Sequence, residues 1–296
     1  MFSGSWVAVV TPFKNGEIDE GALRDLVNWH VESGTNGIVA VGTTGESPTL
    51  SHNEHHRVVE ICVETAAKRI RVMAGTGSNS TDEAVDLTVH AKNAGADAAL
   101  IVNPYYNKPT QEGIYRHYMA IADAADIPQF LYNIPGRTGG RIEVPTMARL
   151  ATHKNIIGVK DAVGDLNFTS ETIARIGNDF TILSGDDALT LPMMSLGAKG
   201  VISVAANIAP EKIAALTGAM LAGDLAAARA VHFEMLDVIN AMFYETNPIP
   251  VKTALAMMGK IHEEFRLPLC PMSQTNRERL SAALNKSGIL SGVAKA

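Results

Sequence analysis

The sequence predicts a (β/α)8 barrel followed by C-terminal helices. Eight short apolar runs recur along the chain. Amphipathic stretches of helical period separate them. No dinucleotide-binding glycine fingerprint follows the first run, which favours a closed barrel over an open doubly wound sheet. The 296 residues exceed the ~250 of a common barrel, leaving room for added helices. With 46% hydrophobic and 19% charged residues, a chain this long needs neither a disulfide nor a metal to fold, and global disorder is excluded.

The runs are residues 6–10, 37–41, 71–74, 98–102, 129–132, 156–160, 181–183 and 201–204. Most are apolar nearly throughout, as parallel strands covered on both faces require. Most lead into Gly, Asn, Asp or Thr, which read as loop residues. Between the first two runs, Leu23, Leu26, Val27, His30 and Val31 give one apolar stripe, with Asp19 as its N-cap. Val58, Val59, Cys62 and Val63 form the next stripe. Helices are expected over 81–94 and 111–125, with Gly95 as a C-cap. The last strand is expected to end near Asn207 and its helix near Leu221. Residues 1–223 then form the barrel. Residues 224–296, with helical periodicity at Val231, Met235, Val238 and Met242, form a C-terminal helical extension.

Net charge is −6, which argues against a nucleic-acid backbone as partner. No run reaches the ~18 apolar residues of a membrane span. Asp224 and Arg229 interrupt the alanine-rich stretch that comes nearest. Residues 1–14 lack the basic start and apolar core of a signal peptide. Cys62 and Cys270 form no CxxC pair, so a zinc ribbon or redox motif is excluded and a reducing cytoplasm is the expected location. His52, His55 and His56 stand in the order His-Asn-Glu-His-His, which is not the zinc pattern HExxH, and no metal is expected. Gly75-Thr76-Gly77 lacks the third glycine of a dinucleotide loop. Met257 and Met258 fit helix packing.

In a barrel, chemistry belongs where strands end at their C-terminal side. After the second run comes Gly42-Thr43-Thr44-Gly45-Glu46. After the fourth comes Asn103-Pro104-Tyr105-Tyr106-Asn107-Lys108-Pro109. The fifth ends in Tyr132-Asn133-Ile134-Pro135-Gly136-Arg137-Thr138-Gly139, the sixth in Lys160-Asp161, and the seventh leads to Gly185-Asp186-Asp187. Lys160 is the most informative residue. It ends an apolar strand, and alternation places it on the face of Ile156 and Gly158. If that face is the interior, burial lowers the amine's pKa, and the neutral amine attacks a ketone to give a Schiff base. Taken alone, Lys160 reads rather as a lysine at a strand end, solvated or paired with Asp161. The tyrosines and threonines at neighbouring strand ends favour the nucleophile. Tyr132 suits proton transfer with Thr43 as relay, and Arg137 offers a planar fork to a carboxylate. Singly, Tyr132 also reads as a core tyrosine and Arg137 as a surface arginine.

With Gly42-Thr43-Thr44-Gly45-Glu46, Gly158-Val159-Lys160 and the segment from Tyr132 to Gly139, the chain resembles the dihydrodipicolinate synthase family over essentially its whole length. That family belongs to the pyruvate-dependent class I aldolases. N-acetylneuraminate lyases are similar around the tyrosine but lack the arginine. The resemblance implies a barrel with C-terminal helices, assembled as a homotetramer. It implies a lyase that condenses pyruvate with L-aspartate 4-semialdehyde to 4-hydroxy-tetrahydrodipicolinate, on the diaminopimelate route to lysine, without a cofactor. It assigns Lys160 to the Schiff base and Tyr132, Thr43 and Tyr106 to a proton relay, with Tyr106 reaching in from a neighbouring subunit. Thr44 would hold the pyruvate carboxylate and Arg137 the semialdehyde carboxylate, with Gly185, Asp186, Ile202 and Asn247 lining the pocket. Ser47, His52, His55, Asn79, Glu83 and Tyr105 match a site at which lysine inhibits some members. Pro48 stands where lysine-sensitive bacterial members commonly have alanine, and Asp161 where a glutamate usually follows the lysine. Two other functions are compatible with the motifs: another pyruvate-dependent aldolase acting on sugar acids or 2-oxo acids, and a barrel that senses a small molecule. An intact Lys160, Tyr132 and Thr43 argue against the sensor.

Overall fold

A computed structural model of the chain describes residues 2–291. Eight parallel strands close a barrel in sequence order: β1 Gly4–Ala8, β2 Gly37–Ala40, β3 Arg71–Gly75, β4 Ala98–Val102, β5 Gln129–Asn133, β6 Ile156–Asp161, β7 Thr181–Ser184 and β8 Gly200–Ser203, with β1 pairing both β2 and β8. All eight expected runs are strands, and their ends move by one or two residues in most cases. Two differ more. Val9 and Val10 leave the first strand but stay buried. The last strand ends at Ser203, not near Asn207, because Ala205–Asn207 turn as a 3-10 helix. Asn207 there accepts a hydrogen bond from the Val10 amide at 3.2 Å and donates to the Ala8 carbonyl at 2.8 Å. Its amide thus continues the seam between last and first strands where backbone pairing stops.

The helices follow the apolar stripes. In chain order the longer ones are α1 Glu20–Glu32, α2 His52–Ala66, α3 Thr81–Ala94, α4 Gln111–Ala124, α5 Val144–Leu150, α6 Leu166–Ile176, α7 Thr190–Leu196, α8 Pro210–Leu221, α9 Leu225–Ala241, α10 Ile249–Met257 and α11 Gln274–Lys286. Asp19 caps α1 by accepting from the Ala22 amide at 3.0 Å. Gly95 ends α3 in the left-handed region, φ 89°, where a residue with a Cβ is strained. At the start of α2, Ser51 and Glu54 form a reciprocal capping box, which satisfies backbone donors that helix geometry leaves open.

Three apolar layers result. Trp6, Ala8, Val39, Met73, Ala98, Leu100, Phe130, Tyr132, Leu183 and Ile202 fill the barrel lumen. Two clusters lie between barrel and helices. One of them joins Val7, Ile38, Leu26 and Val59 to Ile213, Val238, Leu255 and Leu280 of the later helices. The helices beyond residue 224 therefore share apolar packing with β1, β2 and α1. Among the described residues, no helix is long and apolar enough to cross a membrane.

One alternation expectation fails. Ile156 does not share the face of Lys160. It packs in the outer layer with Leu131 and Val159, and Ile157 packs against the lumen cluster. The pairing of β5 with β6 shifts at Gln129/Phe130, so that Gln129 faces Ile156 while Phe130 faces Gly158. An extra residue in one strand reverses the facing of everything before it. After the bulge the alternation holds, and Lys160 points inward.

Candidate active site

Register places the central pair. Val102 is aligned with Tyr132, Tyr132 with Lys160, and Lys160 with Leu183. Aligned residues of neighbouring parallel strands share a face and stand ~5 Å apart. Tyr132 and Lys160 are both buried, and the Lys160 Nζ lies 4.2 Å from the centroid of the Tyr132 ring. A ring face is an electron-rich but uncharged neighbour. Asp161 is not the partner of Lys160. It turns to the opposite face, where its carboxylate accepts from the Thr169 hydroxyl at 2.7 Å and the Val163 amide at 3.0 Å. Burial there pushes the Asp161 carboxyl above its ordinary range, and those hydrogen bonds oppose the rise.

Gly185 leaves room for the lysine stem. A Cβ on residue 185 would lie 2.7 Å from Ala162 Cβ and 3.1 Å from Lys160 Cε. The methylenes of Lys160 therefore run against bare backbone. Ile202 is in the same lumen layer. Asp186 is occupied in its own turn, where its carboxylate accepts from the Ala188 amide at 2.9 Å.

The threonines sit on a strained loop between β2 and α2. Val41 has φ 48° and Glu46 φ 53°. A left-handed conformation at a residue other than glycine costs about 1–3 kcal/mol and is steepest for a β-branched side chain. Amide contacts within the loop close it: Gly45 N to Gly42 O at 3.1 Å and Glu46 N to Thr43 O at 3.2 Å. Thr44 is buried, and its hydroxyl accepts from Asn247 Nδ2 at 3.0 Å. The Asn247 carbonyl accepts from Arg137 Nη2 at 3.1 Å. Asn247 thereby joins the threonine loop to the arginine loop across 203 residues on one side and 110 on the other.

A cavity of about 530 Å³ opens on this face, lined by Thr43, Tyr132, Ile134, Arg137 and Thr138 together with Ser47, His52, His55, Glu83 and Tyr105. Tyr106 does not enter it. The residue has φ 71° and 90% of its surface exposed, so it projects away from its own barrel. Among the described residues, the hydroxyls of Thr43, Tyr132 and Tyr106 make no hydrogen bonds to one another.

The histidine-rich part of the lining is partitioned. His52 Nε2 meets Glu83 at 2.7 Å, and Ser78 also donates to Glu83. The Ser78 hydrogen bond, reinforced by His52, holds the Glu83 carboxyl below its usual range. His55 is buried, its Nε2 2.8 Å from the Gly75 carbonyl, so that nitrogen carries the proton. Burial lowers its pKa to about 4. His56 stacks on His90 with ring centroids 3.7 Å apart. Asn79 Nδ2 donates to the Tyr105 carbonyl at 3.2 Å. Among the described residues, no three His, Cys, Asp or Glu side chains gather as metal ligands do.

Two buried carboxylates were not singled out by sequence reading. Asp187 accepts from the Ser203 hydroxyl, from the Val204 amide at 2.9 Å and from the Ala205 amide at 3.3 Å, fixing the end of β8. Burial raises its pKa against those donors. Glu46, last residue of the threonine motif, receives Lys252 Nζ, and both side chains are fully buried. A lysine alone among the apolar residues of α10 was a signal that something charged must face it.

The chain is similar to known proteins over nearly its whole length. The model of the dihydrodipicolinate synthetase family matches residues 1–287. A curated 4-hydroxy-tetrahydrodipicolinate synthase from Thermodesulfovibrio yellowstonii is 58% identical over 290 residues, covering 98% of this chain and 100% of that protein. The crystal structure of dihydrodipicolinate synthase from Aquifex aeolicus superposes with a TM-score of 0.96 at 52% identity, covering 97% of this chain and 99% of that one. The chloride-inhibited dihydrodipicolinate synthase from Acinetobacter baumannii, solved in complex with pyruvate, superposes with a TM-score of 0.96 at 49% identity, covering 98% and 100%.

Proposed function

This chain belongs to the dihydrodipicolinate synthetase family, and from that premise we propose that Lys160 is the amine that captures pyruvate. The activity is that of a 4-hydroxy-tetrahydrodipicolinate synthase, a lyase of the class I aldolase type. What supports the assignment of roles is one observation above the rest: a buried lysine amine lies in the barrel lumen over the ring of Tyr132, with its neighbouring carboxylate turned to the other face.

The steps follow from that amine. Lys160 Nζ adds to the ketone carbon of pyruvate, and the carbinolamine loses water to leave a protonated imine. The imine withdraws electrons, so a methyl proton can leave and an enamine forms. The enamine carbon attacks the aldehyde of L-aspartate 4-semialdehyde, and the aldehyde oxygen takes a proton. The amino group of the added chain then attacks the imine carbon, expels Lys160 and closes the six-membered ring. One water is released, and nothing is oxidised or reduced. Tyr132 carries the protons, Thr43 relays them, and Thr44 holds the pyruvate carboxylate. Asn247 orients Thr44 through the hydrogen bond to its hydroxyl.

Arg137 receives the semialdehyde carboxylate at the exposed rim of the cavity. Arg137→Ala is expected to lower turnover of the semialdehyde by ~10–10²-fold, as removal of a charge-assisted hydrogen bond does, with the pyruvate adduct on Lys160 still forming. Steady-state kinetics and mass measurement of the trapped adduct check this. Loss of adduct and turnover together would leave Arg137 only its bond to the Asn247 carbonyl. Faster turnover of sugar-acid aldehydes than of the semialdehyde by the native protein would overturn the substrate assignment.

Tyr106 completes the relay from a second copy of the chain, within a homotetramer. The support is its outward, left-handed placement, with 90% of its surface exposed. Specific activity is therefore expected to fall as the protein is diluted below its dissociation range, with mass photometry reporting the species. Fully active monomers would contradict the role. The exposed free thiol of Cys270 fits a reducing compartment such as the cytoplasm.

A further inference from the structure

The buried ion pair between Glu46 and Lys252 is not used by the mechanism above. A fully buried pair of this kind is a poor way to gain stability, because desolvating two charges offsets most of their attraction. Burial indeed holds Lys252 below the usual lysine range, against the pull of Glu46. The surroundings show what the pair is fastened to.

Glu46 is the hinge end of the loop that carries Thr43 and Thr44, and it is one of that loop's two left-handed residues. Its second carboxylate oxygen faces the Arg266 amide at 3.4 Å. Gly45 next to it is held by the Thr11 hydroxyl, which donates to its carbonyl at 2.7 Å. On the other side, Lys252 lies on α10, whose first turn follows directly on Asn247 and Pro248. Its ammonium sits 4.3 Å from the centroid of the Phe13 ring. The helix and the residues that lead into it therefore reach the threonine loop twice: through Lys252 to Glu46, and through Asn247 to the Thr44 hydroxyl. A strained loop keeps its shape only where its surroundings over-determine it.

We propose that the Glu46–Lys252 ion pair is a clamp that holds the strained threonine loop in register with Lys160, making Glu46 and Lys252 positioning residues for the reaction although neither touches substrate. The proposal rests on the assignment of Lys160, Thr43 and Thr44 made above. It assigns the C-terminal helices a part in the chemistry: α10 sets the place of the hydroxyls that receive pyruvate.

The clamp and a purely structural pair differ in what an apolar replacement does. In the double variant Glu46→Leu/Lys252→Met both charges go, so no lone buried charge is left and stability is kept or gained. A structural role then predicts full activity. The clamp predicts a folded protein in which the Michaelis constant for pyruvate rises about 10-fold and the rate of adduct formation falls about 10²-fold, the scale of an ångström of misplacement. Both are read from borohydride trapping over time against pyruvate concentration, with the melting temperature and circular dichroism measured alongside. Glu46→Asp carries the same test if the double variant does not fold. It keeps the charges and shortens the reach by one methylene, and the same two kinetic changes are expected. Wild-type trapping kinetics in whichever of the two variants folds would overturn the clamp. Failure of the native protein itself to label at Lys160 would instead remove the Schiff-base assignment.

Discussion

Lys160→Arg is expected to abolish turnover, by ~10⁴-fold or more. Arginine keeps the positive charge and nearly the length of the side chain, so the ring face of Tyr132 retains a cation near it. What it cannot supply is a free electron pair, since the guanidinium stays protonated at any pH the protein survives. If Lys160 served only as a charge that attracts oxo acids, arginine would preserve much of the activity. The two roles therefore give opposite results from one substitution. The lysine stem lies close to the backbone at Gly185, so the larger head group also needs a check of folding by circular dichroism. Retained turnover above ~1% of the native rate would exclude covalent capture at this position.

Tyr132→Phe is expected to slow enamine formation by ~10³-fold, within the range that a positioned acid–base group contributes. The substitution keeps the ring over which Lys160 Nζ lies and removes only the hydroxyl. Capture of pyruvate should therefore survive in part while proton transfer fails. Exchange of the pyruvate methyl hydrogens for deuterium reports that step without the second substrate. A variant that exchanges at the native rate would move the proton transfer to another group, with Thr43 the next to test.

The barrel was legible because parallel strands buried on both faces leave a local mark: apolar runs of three to five residues, mostly ended by loop residues, spaced by amphipathic helices. Lys160 was legible for the same reason, as the one charge that ends such a run. What sequence could not show depends on distant partners. The bulge that turns Ile156 outward is set by how β5 meets β6, and nothing in residues 156–160 marks it. Glu46 and Lys252 are 206 positions apart, and Asn247 and Thr44 203. Lys252 stands out as the only charge in its helix, but nothing in any of these segments names the distant partner. Val41 in a left-handed conformation runs against its own propensity, which only the surrounding loop can impose. The outward course of Tyr106 has no periodic signature and entered the sequence reading through resemblance.

The reaction turns on one covalent bond. The most direct measurement is borohydride reduction of the native protein in the presence of pyruvate, followed by proteolysis and mass mapping. A single modified peptide, carrying the reduced three-carbon acid on the Lys160 nitrogen, is predicted. Label on a different lysine, or an unlabelled protein that still forms product, would contradict it.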